Sequence, residues 1–396
     1  MRSLTQVVVV TTLSLRAMPQ RLGNSLVIVV GIAGVVAVLL SVLTMYTNFR
    51  RTIDADGRPD RAIVLSKTAT TESDSGLSIA DVATIADARG IKHDAHNRPL
   101  LSAELIMVAP VSRKRDNSDV SVTLRGVGDQ YFAVRPELKL IAGRMLRPGT
   151  QELLVGRAAR SQFAGLEVGN QLRLQGGDWT IVGIFAGGNG SRESEVIADS
   201  RTLMSVYKTD SSNSVSVMLD SPGSLPTLLT SLSAQATVYA QARLEPEYLA
   251  SASGSTNRML RLVAYAIGSI MAVGAFFSAL NSMHSAVASR TVEIATLRAL
   301  GYSSGAVATA ILLEALLLAL IGAAIGVAIA FAAFDGVVIS TLGGANFDSQ
   351  LVYALIITPT LVLISVLLAC ALGLLGGAFP AIRAARASVA DALHET

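Results

Sequence analysis

The stretch Ser289–Glu314, SRTVEIATLRALGYSSGAVATAILLE, decides how the chain is read. It opens as a polar helix carrying Arg290, Glu293 and Arg298, and it stops at Gly301, a residue able to end a helix in a left-handed conformation. Ser303 or Ser304 can cap a second helix, which runs straight into an apolar segment. Arg290, Ile294 and Arg298 recur every four residues and so share one side of the first helix, with Leu297 and Gly301 adjoining them. Glu293 lies three residues from Arg290 and is spaced to pair with it, while Ala299 and Leu300 lead into the turn. A short helix mixing apolar and charged positions suits docking into a groove of a soluble protein. An interfacial helix resting on lipid headgroups fits the same pattern.

Hydrophobic residues make up 51% of the 396 positions and charged residues only 15%, against roughly 25% in soluble domains. The imbalance is concentrated in four windows, Leu26–Tyr46, Leu262–Met283, Thr309–Phe334 and Leu351–Phe379. Each reaches about 20 residues, the length at which a helix crosses the hydrocarbon of a bilayer. The expected spans are therefore 24–47, 261–283, 306–334 and 351–379. The first window begins after residue 25 and lacks a small-residue cleavage site, so it reads as a retained anchor rather than a removable leader. The single cysteine, Cys370, falls inside the fourth window and cannot form an intrachain disulfide. A net charge of +3 gives no reason to expect nucleic acid as a partner.

Arginines in short loops assign the sides of the membrane. Residues 1–23 carry Arg2, Arg16 and Arg21 with no acid, the 284–305 loop carries Arg290 and Arg298, and the 380–396 tail carries Arg383 and Arg386. The short 335–350 loop has no lysine or arginine but contains Asp335 and Asp348. Both termini and the 284–305 loop are thus expected in the cytoplasm, with 48–260 outside. Residues 1–22 read as an interfacial helix along the inner leaflet.

The outer domain reads as α+β. Ala62–Ser66 and Glu104–Val108 look like strands, and Ser78 can cap an amphipathic segment Ile79–Ala88 ended by Gly90. From Asp119 the period becomes two, with Val120, Val122 and Leu124 alternating with polar residues. Leu153–Val155 is a further short strand, and Gln171–Leu174 and Trp179–Ile184 read as a hairpin across Gln175–Asp178. Strand, helix and strand follow at Val215–Leu219, Pro222–Ser233 and Thr237–Ala242. The expected architecture is an α+β subdomain from 60–118 and 206–245, with a small β subdomain inserted at 119–205. The glycine run at 187–190 lacks the Lys-Ser/Thr of a phosphate loop and reads as a turn.

Two features of the third span stand out. Glu314 lies one or two turns inside it, where a carboxylate is either functional or bonded near the inner interface. Gly322 and Gly326 give the Gly-xxx-Gly spacing of close helix packing, although a glycine-rich chain also produces it by chance. His93 and His96 fall in a polar stretch and read as a solvated turn rather than a metal site, and no catalytic constellation emerges.

The run RTVEIATLRALGYSSGAVATAILLEALLLALIGAAIGVAIA resembles the cytoplasmic loop and third helix of FtsX/MacB-type ABC transporter permeases. Glu293, Leu297, Arg298, Ala299, Leu300, Gly301 and Glu314 occupy the positions of the family's string. The tail, through Pro380, Ala384, Ala385 and Arg386, and the outer segments VTLRGVGDQYF, LIAGRML, ELLVGRAA, GLEVGNQLRL and WTIVGIF are also similar. The resemblance implies a bacterial inner-membrane permease subunit without catalysis of its own. Members that carry the ATPase in the same chain contain Gly-xxxx-Gly-Lys-Ser/Thr, which is missing here, so ATP and Mg would be bound by a separate ATPase subunit in two copies. It also implies a dimer with a second copy or a paralogous permease, and leaves open a periplasmic adaptor and an outer-membrane channel. The expected role is to pass ATP-driven motion to the outer domain for export or extraction of a lipophilic, peptide or lipoprotein cargo. The alternative is a non-transporting regulator that switches an envelope enzyme. A stand-alone secondary transporter would need inverted repeats and broken helices, which the chain does not display.

Overall fold

The computed structural model describes residues 6–12, 22–188, 190–235, 238–344 and 347–386. Of the expected interfacial helix only 6–12 and residue 22 are described; its other residues, Asn189 and the tail beyond 386 lie outside the described residues. In chain order the helices are α1 (6–12), α2 (Leu22–Asp54), α3 (Ile79–Ala86), α4 (Tyr131–Val134), α5 (Arg157–Gln162) and α6 (Ser200–Tyr207). They continue as α7 (Leu225–Ser233), α8 (Glu245–Ala252), α9 (Gly254–Ala288), α10 (Thr291–Ala299), α11 (Ser304–Phe334) and α12 (Pro359–Arg386). The strands are β1 (Arg61–Ser66), β2 (Leu77–Ser78), β3 (Leu101–Ser112), β4 (Asp119–Val127), β5 (Lys139–Gly143), β6 (Glu152–Gly156) and β7 (Gln171–Leu174). After these come β8 (Gly177–Ala186), β9 (Val196–Asp199), β10 (Ser211–Ser212), β11 (Ser214–Met218), β12 (Ala240–Leu244), β13 (Val338–Gly344) and β14 (Phe347–Ala354). Two units result: a helical unit of 1–46, 260–337 and 355–396, and an α/β domain of 47–259 and 338–354.

Among the described residues four helices, α2, α9, α11 and α12, are long and apolar enough to cross a membrane. The helical unit is packed as lipid-embedded helices pack, with small residues inside and large ones outside. On α11 the buried stripe is mostly small, with Ala310, Ala315, Ala319, Gly322, Ala323, Gly326 and Ala330 beside Val307, Ile311, Glu314 and Leu318, whereas Leu313, Leu317, Ile321, Ile325 and Ile329 are exposed. Gly322 and Gly326 lie against α2. A Cβ on Gly326 would stand 2.5 Å from the Ala33 carbonyl oxygen, and one on Gly322 2.9 Å from that of Val29. Gly326→Leu is therefore expected to destabilise the purified protein by about 1–3 kcal/mol through overpacking, read as an earlier thermal melt in detergent. An unchanged melt would show that α2 can retreat.

The fourth apolar window is not one helix. Val338–Gly344 and Phe347–Ala354 pair antiparallel as β13 and β14, and the helix begins only at Pro359. Proline fits a first helical turn, and Asp335 Oδ1 accepts from Ile357 N–H just before it, at 3.1 Å. Apolar content alone does not separate a buried strand from a span, and Val352 belongs to the core of the α/β domain. At its other end α12 continues through Pro380, the expected end of the span, to Arg386. Ala381 and Ala384 beyond the proline pack with Val307 and Ile311 of α11, and such tertiary support offsets the lost backbone bond.

In the α/β domain a ten-stranded sheet runs in the order β12-β1-β11-β3-β4-β9-β6-β8-β5, with β7 added on β8. The segment 119–205 does not make a sheet of its own: the long β3 pairs with β11 through Leu101–Glu104 and with β4 through Leu105–Ser112. One strand thus carries the sheet from the flanking half into the 119–205 half. Each half keeps its own core, one around Trp179, Phe163 and Leu203, the other around Val64, Val217 and Leu228. Ser78 caps α3 in a reciprocal capping box with Asp81, and β7 and β8 form a tight hairpin.

Candidate functional site

Backbone capping and one buried ion pair build the elbow between α9 and α11. α10 ends at Leu300, and Gly301 follows at φ +92°, a conformation in which a side chain is strained. Gly301 N–H donates to the Arg298 carbonyl at 3.0 Å, and Tyr302 N–H to the Leu297 carbonyl at 3.2 Å. These two bonds satisfy carbonyls that a helix end otherwise leaves open. Ser303 then starts α11, its hydroxyl accepting from Ala306 N–H.

Arg290, at the start of α10, turns its guanidinium inward. Its Nη1 and Nη2 donate to Oε2 and Oε1 of Glu314, both at 2.9 Å, a bidentate pair with each residue under a tenth exposed. Glu314 lies on the buried stripe of α11, so the pair fastens α10 to α11. Ile294 packs beside it with Met283, Val307 and Ile311, and Ala295 is buried too. Leu297 and Arg298 are half-buried, while Val292, Glu293, Thr296, Ala299 and Leu300 are exposed. A cleft of about 90 Å³ opens here, lined by Arg290, Glu293, Leu297, Glu314 and Val10 among others.

Helical spacing puts Arg290, Ile294 and Arg298 on one side and allows Glu293 to pair with Arg290. In the structure Arg290 and Ile294 face the helical core, and the bidentate partner of Arg290 is Glu314. A carboxylate inside a span is expensive without a cation, which draws Arg290 inward and rolls Val292, Thr296, Ala299 and Leu300 outward. α1 falls within the helix expected over 1–22, but its contact with the elbow is not legible in the sequence. Val10 is buried, and the Gln6 side chain donates to the Gly301 carbonyl at 3.5 Å and accepts from Ser303 N–H at 3.4 Å.

A second polar cluster lies within the α/β domain. Arg125 on β4 donates to Glu195 (2.6 and 2.9 Å), Glu104 (2.7 Å) and Glu72 (3.1 Å), and all four are buried. Arg61 and Arg135 share Glu245, at 2.6 and 2.7 Å, and Arg61 also donates to the Asp56 carbonyl at 2.6 Å. Among the described residues no group of three or more His, Cys, Asp or Glu side chains could hold a metal ion. His93 has its Nδ1 2.9 Å from the Ile91 carbonyl, and His96 is tied through its backbone N–H to Asp94.

The MacB-like periplasmic core domain family matches residues 22–235, and the FtsX-like permease C-terminal family matches 265–389. The chain belongs to the FtsX/MacB-type ABC transporter permeases. Three solved structures are similar to about half of this permease. The periplasmic region of MacB from Actinobacillus actinomycetemcomitans is 16% identical, covering 48% of this chain and 90% of that one, with a TM-score of 0.37. The extracellular domain of the noncanonic ABC-type transporter YknZ from Gram-positive bacteria is 14% identical over 46% of this chain and 99% of its own, with a TM-score of 0.36. A domain of a putative permease protein from Porphyromonas gingivalis is 14% identical over 47% and 87%, with a TM-score of 0.30. No curated relative matches the permease.

Proposed function

We propose that this permease is the membrane subunit of a heteromeric ABC transporter, and that it carries ATP-driven motion of a separate ATPase to an extracytoplasmic α/β domain. The work done there is export or extraction of a lipophilic, peptide or lipoprotein cargo. The observation that carries the reading is the Arg290–Glu314 pair, which makes α10 and α11 one lever. A capped, glycine-stopped helix with an outward face of Val292, Thr296, Ala299 and Leu300 is the kind of surface that seats in a groove of a soluble partner. The excess of arginine at 1–23, 284–305 and 380–396 supports a cytoplasmic elbow and cytoplasmic termini. ATP and Mg would be bound by two copies of the ATPase, and a second permease would complete the assembly.

The test is recovery of the ATPase with the full-length permease from membranes. Val292→Glu with Leu300→Glu places two charges on the exposed face, touches no buried contact, and is expected to lower recovery about tenfold or more, the scale of one lost hot spot. Undiminished recovery by a variant that melts like the parent would refute the docking face.

A further inference from the structure

Five consecutive residues of the α/β domain, Ser191–Glu195, are held by four separate parts of the chain. Asp56, two residues beyond the end of α2, accepts through Oδ2 from Ser191 N–H (2.6 Å), from the Ser191 hydroxyl and from Arg192 N–H (3.3 Å). The Arg157 guanidinium donates to Glu193 at 3.0 and 3.2 Å, and Arg125 grips Glu195. The Ser194 hydroxyl donates to the Val352 carbonyl at 3.1 Å and accepts from Val352 N–H at 2.9 Å. Val352 lies in β14, part of the hairpin that joins α11 to α12 along the chain. Its neighbour Tyr353 meets Phe49 of α2 edge to face, ring centroids 6.0 Å apart. The Asp56 carbonyl in turn accepts from Arg61, which bonds Glu245, the first residue of α8, the helix that precedes α9.

The segments after α2 and between α11 and α12 therefore meet on one short buried turn, and the segment before α9 is tied to it through Arg61 and Asp56. Ser191, Arg192, Glu193 and Ser194 form a single 3₁₀ turn, in which a backbone shift at one end is felt at the other. The contacts are directional hydrogen bonds in a buried setting, so displacement of Asp56 or Val352 cannot be absorbed by sliding as it could between apolar faces. Glu195 passes a shift on to Arg125 at the middle of the sheet, and Val196 begins β9 directly behind it.

We infer that Ser191–Glu195 is the receiver of the α/β domain, the point where movement of the membrane helices is collected and turned into movement of the sheet half at 119–205. This inference rests on the transmission reading above and names the residues that perform it inside the domain. Asp56 and Ser194 are positioning residues: they touch no cargo and no nucleotide.

The experiment is hydrogen–deuterium exchange on the full-length permease purified with the ATPase it recovers, with and without ATP and vanadate. The expected result is a several-fold change in exchange of peptides covering 187–199 and 291–300 when nucleotide is trapped. Ser194→Ala is expected to abolish the change at 187–199 while keeping it at 291–300, and Asp56→Asn to do the same. If Asp56→Asn fails to fold, Ser194→Ala decides alone, because it removes one hydroxyl and no buried charge. A change at 291–300 with none at 187–199 in the unaltered protein overturns the receiver and leaves the transmission reading standing, as does a response at 187–199 that survives in Ser194→Ala. Silence in both segments overturns the two together.

Discussion

Arg125→Ala is expected to unfold the α/β domain, with a loss of about 3–5 kcal/mol or more from a domain stability of the order of 5–15 kcal/mol. The guanidinium is 1% exposed and is shared by three buried carboxylates, Glu72, Glu104 and Glu195. Removing it takes the closest cation from all three and leaves them to Arg192 and the Ser214 hydroxyl, and a buried charge left under-compensated in a low-dielectric interior costs more than the pair contributed. Thermal unfolding followed by circular dichroism, with proteolysis of the domain as a second probe, measures the loss. A melt unchanged from the parent would sink the claim that this arginine holds the sheet together.

The pH dependence supplies a sharper signature. Burial pushes the Glu72 carboxyl up, but Arg125, Arg192 and the Ser214 hydroxyl outweigh it and hold the group at about 2. Glu195 and Glu245 are likewise held below the usual carboxylate value, against burial, by Arg125 and Arg135 respectively and by neighbouring arginines. A carboxylate depressed in the folded state stabilises above its unfolded value and loses that contribution as pH falls through the folded one. The parent domain should therefore be steady near neutrality and weaken from just below pH 4.5 toward about 2. Asp56 has the opposite sign, since burial raises it despite Arg192 and Ser191, and its single contribution only blunts the fall. In Arg125→Ala the Glu72 and Glu195 carboxyls lose the nearest cation that holds them down. Burial then raises them, the folded state binds protons more tightly, and acid stabilises whatever remains folded. A variant that still weakens in acid with the parent's profile would contradict this account.

The second large effect is expected at the elbow. Arg290→Ala and Glu314→Ala should each destabilise the helical unit by about 3–5 kcal/mol, because each leaves its partner charged and buried. Arg290→Met with Glu314→Leu removes both charges together and keeps most of the volume, so it is expected to lie within about 1–2 kcal/mol of the parent. Melting of the detergent-purified protein measures the stability, and recovery of the ATPase measures the lever. The double variant should regain both, since an apolar contact also fastens α10 to α11. Single variants that melt within the error of the parent would mean that the pair contributes nothing to the elbow.

Much of the permease is legible along the chain because the signals are local. Long charge-free runs mark the membrane helices, Ser78 announces the start of α3, and the glycine after Leu300 marks the end of α10. The tight turn between β7 and β8 is legible for the same reason, since its strands are neighbours in sequence. Local pattern misjudged the fourth window, where Leu351–Ile357 is apolar enough for a span yet belongs to a hairpin and the approach to Pro359. Hydropathy records that such a run is buried, not whether lipid or a protein core buries it.

Periodicity also gives a false answer for the charged residues that matter most. Arg125 falls on the polar phase of β4, opposite Val122 and Leu124, and alternation assigns that phase to solvent; β4 lies inside the sheet and both of its faces are covered. Composition and spacing by themselves determined that there are four membrane helices, that a domain of strands and helices lies between the first two, and that an elbow stops at Gly301, because each depends on residues within a turn or two of one another. Only the tertiary structure decided that Arg290 belongs to Glu314, that Arg125 gathers three glutamates, and that Asp56 and Val352 meet on one turn. Those pairings join residues far apart in sequence, and nothing in a one-dimensional pattern records which buried charge a folded chain brings to another.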